Sequence, residues 1–238
     1  ATLPAMERVT AGLRDEGFSI AALYASNTLG AVFGVLASAF WLVPAFGLSR
    51  TAGFFAVINL ICAAGALYLR SRSRSSVEPA QSRRNGGLAL LAATGMLGIG
   101  YEVLVVRALS QFNENTVYTF AILLAVYLGG TAIGAAAYQR WLASHPDPDR
   151  IRTRLLALMA VTCLAGTATL WVAEIGRLIA LQFLGAGMGS ALLVEALLAL
   201  AAFAFPTMAM GALFGHLATQ ARVAGTSFGR SLAFNTLG

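Results

Sequence analysis

Apolar residues in this chain do not alternate with polar ones. They run in blocks of about twenty, each closed by a cluster of charged residues, prolines or glycines. A helix of about twenty residues crosses a hydrocarbon layer ~30 Å thick. The pattern therefore predicts six transmembrane helices, at about Ser19–Val43, Thr51–Tyr68, Gly87–Val106, Val117–Tyr138, Leu155–Ala173 and Leu178–Phe205, and the start of a seventh at Ser227–Gly238. Pro44 is expected to end the first. The sixth exceeds what an untilted crossing needs, and Gly185, Gly187 and Gly189 predict a break or bend inside it. Asn113 to Thr116 offer cap residues ahead of the fourth. Residues 1–18 form a polar, mildly amphipathic lead-in expected at the membrane surface, and Pro206–Ala224 reads as a second such segment. The Ser- and Arg-rich stretch 70–86 reads as a linker. The fold class is all-α, a polytopic transmembrane helical bundle of about six full spans plus the start of a seventh.

Superimposed on this pattern is a repeat. Asn27-Thr28-Leu29-Gly30 returns as Asn235-Thr236-Leu237-Gly238, and Leu3-Pro4-Ala5-Met6 is answered upstream by Phe205-Pro206-Thr207-Met208. A period of about 205 residues is too long for a solenoid and suits the parallel half-repeats of many transporters. On this basis residues 1–69 are the end of one repeat and 87–238 the following one, with 70–86 between them. The chain begins at Ala1 in mid-pattern, and it reads as a fragment of a longer protein.

Composition agrees: 58% of residues are hydrophobic and 11% charged, with mean hydropathy +0.75, where a soluble domain carries about 25% charged residues. All 16 basic residues are arginine, a usage that fits a G+C-rich bacterial genome. The net charge of +6 does not mark a nucleic-acid binder, because the arginines stand in short loops beside apolar runs, where topology and anionic lipid account for them. Thirteen fall on one side of the predicted spans, and only Arg50, Arg107 and Arg177 on the other. That asymmetry puts the arginine-rich loops in the cytoplasm and the chain in a bacterial inner membrane. Both copies of the Asn-Thr-Leu-Gly stretch then enter from the same side.

Candidate chemistry lies in the few ionisable groups inside apolar runs, since a carboxylate in hydrocarbon costs several kcal/mol unless it is paired, protonated or hydrated. Glu195, in the middle of the sixth block, reads as the deepest, able to bind a cationic amine, carry a proton or sit protonated against a neighbouring hydroxyl. Glu102 and Arg107 stand near a boundary, where pairing or a snorkelling arginine is expected. Asn27 and Asn235 are related by the repeat, either lining one cavity or bonding between helices. These five are the substrate-binding candidates. Gly30/Gly34 and Gly130/Gly134 are small-xxx-small pairs that let helices approach closely. Leu184-Gly185-Ala186-Gly187-Met188-Gly189 imitates a cofactor-binding turn, but it leads into an apolar run rather than a strand-helix-strand unit, so no cofactor is expected. His145, Asp147 and Asp149 read as turn and cap residues rather than metal ligands. Cys62 and Cys163 read as small packing residues, and His216 is assigned no role.

Leu23-Tyr24-Ala25-Ser26-Asn27-Thr28-Leu29-Gly30-Ala31, Leu42-Val43-Pro44-Ala45-Phe46-Gly47-Leu48 and Tyr101-Glu102-Val103-Leu104-Val105-Val106-Arg107, continuing to Val117-Tyr118-Thr119-Phe120, together resemble the membrane region of bacterial fused major-facilitator-like/spermidine-synthase-like proteins. The resemblance implies a transporter-like helical region that handles a polyamine or related small cation. In that family a cytosolic aminopropyltransferase-like domain follows; these residues contain no such domain, and no aminopropyl transfer is carried onto them. Two other readings remain open. One is a membrane-embedded enzyme, against which stands the lack of a nucleophile, paired carboxylates or metal spacing. The other is a structural or accessory subunit that packs into a larger membrane complex. The partners expected are the lipid bilayer, a small cationic substrate and other membrane subunits.

Overall fold

A computed structural model describes residues 20–72, 85–111, 116–185 and 187–237. Seven α-helices account for most of them, and six are long and apolar enough to cross a membrane. They are α1 (Ile20–Ala37), α2 (Leu48–Arg72), α3 (Asn85–Leu109), α4 (Val117–Ala137), α5 (Pro148–Leu184), α6 (Met188–Val223) and α7 (Phe228–Leu237). The expected surface position of residues 1–18 and most of the linker at 70–86 lie outside the described residues.

Helix α6 is the axis of the bundle. It packs on α4 and α5, and more lightly on α3, α1 and α7. Helices α4 and α6 run parallel with a constant register, marked by contacts of Thr119 with Glu195, Gly130 with Thr207 and Tyr138 with His216. Glycine makes this possible. A Cβ at Gly130 would strike the Thr207 side chain, one at Gly134 the Met208 carbonyl, and one at Gly211 the Thr131 carbonyl. The expected role of Gly130/Gly134 is thus observed. Gly30 and Gly34 on α1 meet nothing within 4 Å, so among the described residues that pair is not used for packing.

Several boundaries differ from expectation. Pro44 does not end the first span. The helix passes through a π-helical turn, Ser38–Leu42, into Val43–Phe46, and stops at Gly47, whose φ of 78° favours glycine. Pro44 stands just after that π-helical turn, where the regular i→i−4 ladder is already interrupted. The fourth span likewise continues through a π-helical turn, Tyr138–Leu142. The break near Gly185 is real, but it separates two helices rather than bending one. Gly185 (φ 82°) terminates α5, and α6 begins at Met188. Leu178–Leu184 therefore belongs to α5.

The largest correction concerns Pro206–Ala224. Instead of a surface segment it is the second half of α6, and from Ala209 to Ala221 it holds most of the buried positions of that helix. Its many small residues lower its hydropathy while letting neighbours pack against it. Pro206 lacks an N–H and leaves the Ala202 carbonyl without a helical donor. The Tyr101 hydroxyl from α3 donates to that carbonyl at 2.7 Å, and Gly166 lets α5 approach the same point.

Helix α7, like α1, starts at the arginine-rich end, so the two Asn-Thr-Leu-Gly copies enter the bundle from one end, as the parallel repeat requires. Phe214 of α6 contacts Tyr24 of α1, with ring centroids 4.6 Å apart, and Phe228 of α7, at 6.4 Å. Helix α1 packs chiefly on α4, and α7 on α3. Helix α2 makes its main contact with the turn leading into it, and from Ala52 to Gly65 its side chains are exposed or half-buried. Cys62 lies there, exposed rather than packed; Cys163 is half-buried against the core.

Candidate functional site

The register between α4 and α6 provides a depth scale. From Glu195 to His216, α6 rises about 31 Å at 1.5 Å per residue, the thickness of a hydrocarbon layer. Charged residues cluster near the two edges. Arg150, Arg152, Arg154, Arg222 and Arg230 gather at the His216 edge, and Arg107, Glu174 and Arg177 at the Glu195 edge.

On this scale Glu195 is not in the middle of a span. It is the eighth residue of α6, beside the start of α4, only 3% exposed. Its Oε2 accepts a hydrogen bond from Thr119 Oγ1 at 2.8 Å. Thr119 is itself part of the capping box formed with Thr116, the N-cap of α4. The arrangement ties α6 to the first turn of α4. Sequence placed Glu195 too deep because the helix was taken to begin at Leu178.

Glu102 is deeper. Its neighbour Tyr101 reaches the Ala202 carbonyl, which sets Glu102 about 10 Å inside the Glu195 edge. Among the described residues it is the one charged side chain more than about a helical turn inside either edge. It does not pair with Arg107, which points outward and is exposed; five residues of separation put the two on different faces. The half-buried Glu102 carboxyl lies instead near Tyr127 of α4. Tyr127 also lies near Tyr24 of α1, which neighbours Thr131 and Thr28. A polar row thus runs from α3 through α4 to α1, backed by Phe203 of α6, which holds the Tyr101 and Tyr127 rings edge-on at 6.2 and 5.8 Å.

The two repeat asparagines flank this row without joining it. Asn27 is exposed on α1. Asn235 is half-buried on α7, its backbone pressed against Gly95 of α3. No contact between the two is present among the described residues. Tyr127, Thr131 and Tyr24 were not singled out from sequence. The available signal was hydroxyl-bearing Tyr127 and Thr131 four apart on one face of an otherwise apolar helix.

Two other polar features are structural. Asp147 caps α5, accepting from the Arg150 N–H at 3.1 Å, and Asp149 pairs with Arg152 at 2.9 Å, so the expected capping role is observed. His216 is 1% exposed, its Nδ1 3.3 Å from the Tyr138 hydroxyl. A separate groove of about 380 Å³, between α1, α4 and α6, is lined almost wholly by apolar side chains such as Val32, Leu36, Val126 and Met208, and offers no charge partner.

The fold is that of a multi-pass helical membrane protein, with the half-buried Glu102 carboxyl inside its apolar layer. No family model, curated protein or solved structure matches the chain.

Proposed function

We propose that the chain forms a membrane domain that binds and translocates a small organic cation, with the arginine-rich end in the cytoplasm of a bacterial inner membrane. Glu102 carries this reading. A carboxyl retained inside the hydrocarbon layer is costly unless it serves a partner or a ligand; here its neighbours are tyrosine rings and hydroxyls, groups that accommodate an ammonium ion. The family resemblance adds that the cation is a polyamine or a related amine.

The test is uptake of labelled amines into liposomes containing the chain. Glu102→Gln is expected to abolish uptake, while Glu195→Gln leaves it measurable. Wild-type uptake by the Glu102 variant would remove the site from this position. The accessory-subunit reading draws on the uncovered faces of α2 and of Gly30/Gly34; stable co-purification with other membrane subunits, without uptake, would favour it.

A further inference from the structure

Helix α1 carries a pattern that recurs in two other helices of the chain. Asn27-Thr28-Leu29-Gly30 returns in α7 as Asn235-Thr236-Leu237-Gly238. Gly30, Gly34, Trp41 and Leu42 return in α4 as Gly130, Gly134, Trp141 and Leu142, and both helices pass into a π-helical turn at the same point, Ser38–Leu42 and Tyr138–Leu142. In α4 and in α7 the face that bears this pattern is covered by another helix. Gly130 and Gly134 lie on α6 at the Thr207 side chain and the Met208 carbonyl, and the Asn235 backbone lies on Gly95 of α3. Both pairs run parallel, α4 with α6 towards the His216 edge and α7 with α3 away from it. In each a glycine at the crossing lets the two helices meet closely.

On α1 the corresponding face is bare. Asn27 and Gly30 are exposed, a Cβ at Gly30 or Gly34 would meet nothing within 4 Å, and Leu29 and Phe33 beside them are 42% and 72% exposed. Helix α1 is already anchored to the bundle through the buried Ala21, Leu23, Ala25 and Thr28, so this face is not needed to hold it in place.

We propose that the Asn27/Gly30/Gly34 face of α1 is a docking surface for a further transmembrane helix of the α3 kind. That helix runs parallel to α1, is apolar, and presents a glycine to the backbone at Asn27, as Gly95 does at Asn235. Such a contact continues an interface that the molecule already forms at α4 and at α7. In a bilayer, apolar side chains gain nothing by leaving lipid, and close packing across small residues drives helices together instead. A partner with leucine in place of the glycine would hold the backbones apart. The docking holds whether or not the domain carries a cation.

The probe is a synthetic α3 peptide, residues 85–109, added to the purified chain in detergent micelles. The labelled peptide is expected to bind saturably. Gly30→Leu together with Gly34→Leu should weaken binding more than about tenfold, and so should Gly95→Leu in the peptide, which leaves the chain untouched. Helical circular dichroism shows that the chain variant is folded. Orientation is read by disulfide formation in a chain carrying Cys62→Ala and Cys163→Ala. Asn27→Cys should couple to a peptide with Ala92→Cys, close to Gly95, and not to one with Val103→Cys, about 16 Å further along the same face. Binding that ignores the α1 glycine variants, preferred coupling to the Val103→Cys peptide, or no binding to a folded chain would overturn the proposal. Coupling of Asn27→Cys between two copies of the chain, in place of the peptide, would assign the face to a second copy and overturn it equally. None of these outcomes touches the transport reading, which amine uptake tests separately.

Discussion

At the residue scale, Tyr101 shows how a side chain from one helix repairs another. Pro206 sits inside α6 and deprives the Ala202 carbonyl of its donor, and the Tyr101 hydroxyl replaces it. Tyr101→Phe should lower stability by about 1–2 kcal/mol, the usual range for an interhelical hydrogen bond in a membrane protein. In a Pro206→Ala background, where the helical N–H returns, most of that loss should disappear. Thermal unfolding of the four proteins in detergent measures the coupling; an equal loss in both backgrounds would show that Tyr101 acts only through packing. Thr119→Val should likewise destabilise, by about 1–3 kcal/mol, because it strips a donor from the buried Glu195 carboxylate and breaks the α4 capping box. Glu195→Gln, which can still accept from Thr119, should cost less in the same measurement. Both carboxyls were visible in the sequence, but their depths were not. Depth depends on where α6 starts and how α3 is seated, and the apolar residues on both sides of Gly185 conceal the first of these.

At the element scale, of the two pairs Gly30/Gly34 and Gly130/Gly134, the second packs closely on another helix among the described residues and the first does not. Gly134 and Gly211 hold α4 and α6 at backbone contact, whereas Gly30 and Gly34 face open space. Gly134→Leu should therefore prevent close packing and lower the melting temperature sharply, or abolish folding, while Gly30→Leu should leave the melt nearly unchanged. Equal effects would mean that α1 docks through Gly30 in the working protein. The existence of each helix was legible because a block of about twenty apolar residues has one stable form in a bilayer. The second half of α6 was not. Its alanines, glycines, His216 and Thr219 read as a weak amphipathic segment, and only tertiary packing shows that smallness there serves burial. The polar row at Tyr127 was hidden for a related reason: it joins three helices that are far apart in the chain, and no local spacing records that they meet.

At the scale of the whole molecule, the repeat and the charge asymmetry concern the same geometry from different directions. The two Asn-Thr-Leu-Gly helices start from one end, and most of the described arginines cluster there, at Arg140, Arg150, Arg152, Arg154, Arg222 and Arg230. An even number of crossings between the copies is required for both to hold, and the helices described between them satisfy it. The proposal that the arginine-rich end faces the cytoplasm rests on the arginines alone, through the positive-inside rule, and can be checked without knowing any substrate. In a chain freed of its own thiols by Cys62→Ala and Cys163→Ala, Ser49→Cys places a single thiol in the exposed first turn of α2, and Ser144→Cys places one in the exposed α4–α5 connection at the other end. A membrane-impermeant maleimide added to intact cells with a permeabilised outer membrane should label the first and not the second. Labelling of the second should appear only after the inner membrane is opened. The reverse pattern would invert the orientation of the bundle and place the Glu195 edge, rather than the His216 edge, at the cytoplasm.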